Sequence, residues 1–168
     1  MLLNLTVIVI LILFKSIFSA SDTSFTYLNR SKINQMAKKG NQKAKLVKQM
    51  LDKPNKFFST IKVGITFLEF ISSGYAAEAF LRKIQLNLGF FHFDENISGL
   101  LSVIILTVIL AYFMLVFGDM LPKKIAKNNP ERVSFLLIYP LYILSIIIKP
   151  FEYILNISLK FFCKIFNI

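Results

Sequence analysis

An uncharged run of 21 residues, Ile97 to Phe117, is the feature that most constrains how this chain can fold. At a rise of about 1.5 Å per residue, some 20 apolar residues cross the roughly 30 Å hydrocarbon core of a bilayer. The run therefore predicts a membrane-spanning helix. It ends at Gly118-Asp119-Met120-Leu121-Pro122, which brings a carboxylate to the edge of the membrane. Because a carboxylate is costly there, Asp119 is a functional candidate.

Pro122 supports a cation-binding role for this segment. Proline has no N–H, so Pro122 cannot donate a hydrogen bond to the carbonyl of Gly118 four residues earlier. That carbonyl oxygen is then free beside the Asp119 carboxylate, and such oxygens are the ligands that hard cations prefer. We predict a cation site at Gly118 and Asp119, with Pro122 as a helix break.

Charge placement predicts how the chain lies in the membrane. Hydrophobic residues make up 55% of its 168 residues, yet its formal net charge is +11. Ten basic residues with one acid, Asp52, stand between two apolar stretches: Arg30, Lys32, Lys38, Lys39, Lys43, Lys45, Lys48, Lys53, Lys56 and Lys62. By the positive-inside rule, this segment is cytoplasmic in a multi-pass protein of the inner or plasma membrane. The chain lacks a base-stacking motif, so the expected partner is membrane lipid and not nucleic acid.

The hydrophobic pattern predicts an all-α membrane protein with three transmembrane helices, at about 2–27, 55–80 and 97–118. A basic amphipathic helix at 29–53, with a break at Gly40-Asn41, is expected on the inner membrane surface. Residues 2–20 also fit a signal peptide, although no basic residue precedes Lys15. Residues 132–168 predict a re-entrant or interfacial helical hairpin, with a fourth crossing as the alternative, because prolines interrupt the apolar run.

Polar residues within the predicted spans are the remaining functional candidates. Five of them form a stripe along the first helix, which favours either a packing face or a site: Lys15, Ser19, Asp22, Thr23 and Thr26. Glu69 lies in the middle of the second span and is a candidate for the same cation site. The lone Cys163 and lone His92 exclude a zinc cluster of cysteine and histidine. The chain also lacks a phosphate loop and a Ser-His-Asp set, so we do not expect an enzyme.

Six motifs follow one another along the chain: Phe-Ser-Ala-Ser-Asp-Thr at 18–23, Leu-Asn-Arg-Ser-Lys at 28–32, Ala-Lys-Lys-Gly-Asn-Gln-Lys-Ala at 37–44, Phe-Ser-Thr-Ile-Lys-Val-Gly-Ile-Thr at 58–66, Phe-Gly-Asp-Met-Leu-Pro-Lys-Lys-Ile-Ala at 117–126 and Asn-Pro-Glu-Arg at 129–132. In this order they resemble the transmembrane domain of the CNNM/CorC magnesium transporters, often labelled hemolysin C-like. The resemblance covers nearly the whole chain. It implies a homodimer that moves Mg²⁺ by alternating access, with Na⁺ as coupling ion, and that binds the cation at Ser19, the Gly118 carbonyl and Asp119.

The chain departs from the family pattern at three places. Aspartate replaces glutamate at Asp22 and Asp119, and Glu69 stands where relatives have Asn or Gly. The chain also stops at Ile168, where relatives continue into CBS domains. The expected function is therefore Mg²⁺ transport or efflux, together with a separate CBS-domain subunit. The alternative is a truncated membrane remnant or regulatory interaction subunit that does not transport.

Overall fold

The computed structural model describes residues 2–89 and 95–165, and every regular element within these ranges is helical. The helices are α1 (Leu2–Tyr27), α2 (Arg30–Lys38), α3 (Gln42–Leu51), α4 (Pro54–Gly89), α5 (Glu95–Leu115), α6 (Leu121–Asn128) and α7 (Pro130–Ile165), with a π-helical turn at Val116–Met120 between α5 and α6. The all-α class predicted from the sequence is confirmed. His92 lies outside the described residues.

Three helical segments of the described chain are long and apolar enough to cross a membrane, which marks a membrane protein. They are Leu2–Tyr27, Asn96–Asn128 and Pro130–Phe151. Helix α4 is long enough but is not one of the three, since charged side chains such as Lys62 and Glu69 interrupt its apolar sequence. It nevertheless packs against both α1 and α5 in the bundle. The third apolar segment is the first part of α7, while α4 contains the whole predicted span at 55–80, whose crossing of the membrane stays a prediction.

Helix α7 differs from the hairpin predicted for residues 132–168. It runs as one helix from Pro130 to Ile165, with Pro140 and Pro150 inside it. Each proline removes one backbone hydrogen bond, but in a membrane the apolar surroundings strongly favour keeping the remaining helical hydrogen bonds. The prediction of a chain reversal was wrong for the described residues.

Helices α2 and α3 are separated as the Gly40-Asn41 pattern predicts. The side chain of Asn29 caps α2 by accepting from the Lys32 N–H, and Asn41 caps α3 by accepting from the Ala44 N–H. Gly40 between them has a φ of +94°, in the region that favours glycine. The lysine-rich segment is therefore two short helices joined by a sharp turn.

The main apolar core lies where α1 ends and the lysine-rich helices begin, which we call the basic end of the bundle. Its buried side chains are Phe18, Phe25, Leu28, Ile33, Val47, Leu51, Phe57, Ile61, Ile138 and Leu141. They come from α1, α2, α3, α4 and α7 and the α1–α2 junction. The apolar faces of α2 and α3 are thus covered by protein, whereas the sequence predicted that the inner membrane surface would cover them.

One buried hydroxyl in α4 gives a stability prediction. Ser72 is fully buried, and its Oγ has no hydrogen-bond partner among the described residues. We expect Ser72→Ala to leave the free energy of unfolding unchanged or to raise it by up to about 1 kcal/mol, because an unsatisfied buried hydroxyl is removed. Unfolding in detergent micelles measures this.

Ser102→Ala is the matched control for Ser72→Ala. Ser102 is also fully buried, but its hydroxyl donates to the Ser98 carbonyl at 2.6 Å. Its removal should lower stability by about 1 kcal/mol. An equal loss of stability in Ser72→Ala and Ser102→Ala would contradict the prediction, since it would mean that the Ser72 hydroxyl has a hydrogen-bond partner.

Candidate cation site

The π-helical turn at Val116–Met120 shapes the candidate site. Its last hydrogen bond runs from the Leu121 N–H to the Val116 carbonyl, five residues back. Pro122 follows and cannot donate to the carbonyl of either Gly118 or Phe117, four and five residues earlier. The expected helix break is therefore a local widening, because the chain stays helical up to Asn128. Proline is tolerated here since it lies in the first turn of α6.

Asp119 in this turn meets Ser19 of α1. The Ser19 hydroxyl donates to Asp119 Oδ1 at 2.5 Å and lies 3.4 Å from the Asp119 backbone oxygen. Ser19 is fully buried, whereas the Asp119 side chain is about one quarter exposed at 26%. Two residues a hundred positions apart are therefore brought together, and one edge of the carboxylate stays accessible.

Lys123 completes the surroundings of Asp119. Its Nζ lies 2.9 Å from Oδ1 and 3.0 Å from Oδ2 of the Asp119 carboxylate. The lysine side chain is 43% exposed and belongs to the next turn of the same helical segment. This contact is not among the predictions from the sequence, although the four-residue spacing is the usual signal for an ion pair on a helix.

A second ion pair lies deeper in the bundle. Lys15 Nζ of α1 is 2.8 Å from Glu69 Oε1 of α4 and 3.5 Å from the Met114 carbonyl of α5, at the outer limit of hydrogen-bond distance. The Lys15 side chain is 4% exposed and that of Glu69 is 48% exposed. Glu69, predicted as a ligand of the cation site, thus has Lys15 as its ion-pair partner.

Gly118 allows Lys15 to pass close to the π-helical turn. Gly118 is buried, and a Cβ built on it would lie 3.0 Å from Lys15 Cδ. A side chain here would therefore push against the lysine stem. Gly118 has two roles in this geometry, since it supplies a backbone carbonyl near Asp119 and leaves room for Lys15.

Two other polar residues of the α1 stripe, Thr26 and Asp22, lie in different surroundings. Thr26 is exposed and donates to the Asp22 carbonyl within its own helix, at 2.8 Å, so its hydroxyl needs no partner on another helix. Asp22 is partly buried, and the charges of Lys123, Lys62 and Asp119 lie close enough to act on it. Only part of the stripe therefore faces the site, and Asp22 is an additional carboxylate in its neighbourhood.

The oxygens at Asp119 suit a hard cation that keeps part of its water shell. Mg²⁺ usually binds one or two carboxylates and several waters. Asp119 offers its carboxylate and Ser19 its hydroxyl, and the π-helical turn offers backbone oxygens. Residues 2–89 and 95–165 hold no group of three His, Cys, Asp or Glu side chains that could enclose a metal by themselves.

Comparison with known families identifies the fold around this site. The family model of the cyclin M transmembrane N-terminal domain matches residues 6–168. The chain belongs to this family. The resemblance to CNNM proteins drawn from the 18–23 and 117–126 motifs is thereby confirmed. The Ser19–Asp119 contact joins those two motifs in space.

Individual relatives cover almost all of this chain. It is 30% identical to the UPF0053 inner membrane protein YfjD of Escherichia coli over 90% of the chain, and 27% identical to a UPF0053 protein of Synechocystis over 99%. A protein of Haemophilus influenzae named polyamine export protein is 23% identical over 92% of the chain. The chain spans only 32%, 37% and 37% of these relatives, respectively. It corresponds to the membrane domain within longer proteins.

Proposed function

We propose that this cyclin M transmembrane domain moves Mg²⁺ across the inner or plasma membrane by alternating access, without bond chemistry. The proposal is supported by the hydrogen bond from the Ser19 hydroxyl of α1 to the Asp119 carboxylate of the π-helical turn, because this contact places a charged oxygen site between two apolar helices. A multi-pass arrangement with the lysine-rich α2 and α3 in the cytoplasm follows from the positive-inside rule. Homodimer formation, Na⁺ coupling and a separate CBS-domain subunit belong to the same proposal.

The ion pairs suggest how a cation reaches Asp119. Lys123 holds both carboxylate oxygens, so an incoming cation must displace its ammonium group. Because the Lys123 side chain is nearly half exposed, it can turn into solvent at little cost. Return of Lys123 then helps to release the cation. Exchange between a tethered ammonium and a mobile cation keeps Asp119 paired throughout the cycle.

A second candidate cargo is a polyamine. Within the described part of the chain, the carboxylates of Asp119 and Glu69 each hold a primary ammonium group from lysine. A polyamine carries the same group, and the relative from Haemophilus influenzae is named for polyamine export. The polyamine proposal therefore rests on matching chemistry at Asp119 together with that relative.

Transport assays in proteoliposomes test the two cargoes together. The full chain is reconstituted, and entry of Mg²⁺ is followed with an enclosed Mg²⁺-sensitive dye, while radiolabelled spermidine is measured in parallel. We expect Mg²⁺ flux above that of empty liposomes and a loss of that flux in Asp119→Asn. Spermidine flux without Mg²⁺ flux would mean that the cargo is a polyamine and not Mg²⁺. Absence of both would favour the alternative of a non-transporting interaction subunit.

A further inference from the structure

We propose that Lys15 is a resident cation that withdraws Glu69 from the transport site, so that a moving cation meets the Asp119 carboxylate without that of Glu69. This inference deepens the proposed function and rests on it. It reverses the expectation from sequence, in which Glu69 adds a third carboxylate to the site.

The Lys15 ammonium lies at a junction of three helices. It extends from α1, contacts Glu69 of α4 at 2.8 Å and approaches the Met114 carbonyl of α5 at 3.5 Å. A carboxylate together with a backbone carbonyl is an oxygen environment that would otherwise attract a cation. The lysine therefore occupies a position that a mobile cation could take.

Burial separates Lys15 from Lys123. The Lys15 side chain is 4% exposed, while that of Lys123 is 43% exposed. The stem of Lys15 also passes against Gly118, where a methyl group would have to lie 3.0 Å from Lys15 Cδ. Lys123 can leave its carboxylate by rotating into solvent, but Lys15 cannot leave Glu69 without opening the packing of α1 on the π-helical turn. The ammonium group of Lys123 can therefore exchange with a mobile cation, whereas that of Lys15 stays with Glu69.

A fixed lysine limits the charge that the transport site offers to its cargo. The charges that act on Asp119 include those of Lys123 and Lys15. After displacement of Lys123, the cargo would meet the Asp119 carboxylate while the positive charge of Lys15 remained nearby. This weakens binding, and a transport site must release its ion as well as bind it. The positive charge of Lys15 therefore favours release of the cation from the site.

Magnesium titrations of the full chain in lipid nanodiscs test this assignment by calorimetry. Lys15→Met retains an unbranched side chain but frees Glu69, and we expect it to increase Mg²⁺ affinity at least tenfold or to add a second binding event. Lys15→Met with Glu69→Gln should lose that gain, because the released carboxylate has been removed. Unchanged affinity and stoichiometry in folded Lys15→Met would overturn the proposal. Lys15→Gln, which keeps a polar group, replaces Lys15→Met if the latter does not fold.

The same titrations separate this inference from the proposed function. In Asp119→Asn, the proposed site is removed, and adding Lys15→Met should restore Mg²⁺ binding through Glu69. If the parent chain does not bind Mg²⁺, that result counts against the proposed function alone. The inference about Lys15 would still be supported if Mg²⁺ binding appeared in Lys15→Met and disappeared when Glu69→Gln was added. No restored binding in folded Lys15→Met with Asp119→Asn would contradict it.

Discussion

Asp119→Asn is expected to abolish Mg²⁺ binding while leaving the helical fold intact. Asparagine keeps the size of the side chain and an oxygen that can accept from Ser19, but it removes the negative charge. A divalent cation would then lose the carboxylate that Ser19 contacts, in a place where Lys15 and Lys123 add positive charge. We expect an affinity loss of at least about a hundredfold, equivalent to about 2.8 kcal/mol. Calorimetric titration in nanodiscs measures the loss, and circular dichroism measures the helix content.

Two further variants show whether the loss is specific to the site. Asp52→Asn makes the same chemical change at the exposed C-terminal cap of α3 and should leave Mg²⁺ binding unchanged. Pro122→Ala restores a backbone N–H that can recapture the Gly118 carbonyl, so it should weaken binding without removing a side-chain ligand. Parent-like affinity in both Asp119→Asn and Pro122→Ala would mean that the π-helical turn has no part in cation binding.

The sequence was sufficient to bring Ser19 and Asp119 into one hypothesis, because both lie in recognisable motifs of one family. Their contact at 2.5 Å is a feature of the structure that the motifs alone do not contain. Lys123 entered only as part of the 117–126 motif, although its four-residue spacing from Asp119 is typical of an ion pair on a helix. Lys15 was seen on a polar stripe, but its partner could not be predicted. The partner depends on how α4 is rotated against α1, and apolar side chains spread over the whole sequence set that rotation.

Proline was the least reliable signal in the chain. Pro122 predicted a helix break, and the pattern containing Pro140 predicted a hairpin, yet both prolines lie within continuous helical segments. The local effect of proline is the loss of one hydrogen-bond donor, which is a fixed chemical fact. Whether the chain also turns depends on what surrounds it. A π-helical turn absorbs the defect beside Asp119, and one long helix persists around Pro140.

The largest stability effect is expected from Glu69→Gln, which leaves Lys15 buried without its ion-pair partner. Breaking one side of a buried ion pair costs about 3–5 kcal/mol, and we expect about 3 kcal/mol here because the Glu69 side chain is half exposed. Lys15→Met should cost less than about 1.5 kcal/mol, since it removes the buried charge and leaves the more exposed one. Unfolding in detergent micelles without divalent cations measures the order of the two losses.

The double variant Lys15→Met with Glu69→Gln tests whether the ion pair explains why Glu69→Gln is expected to lose more stability than Lys15→Met. Replacing both partners of a buried pair by neutral groups is often close to neutral for stability. We therefore expect the double variant to be more stable than Glu69→Gln alone, although it carries one more substitution. Additive losses would contradict the pairing, because independent residues add and coupled residues do not. Recovery in the double variant would indicate that Glu69 is present to neutralise Lys15, so that Asp119, and not Glu69, is available to a transported cation.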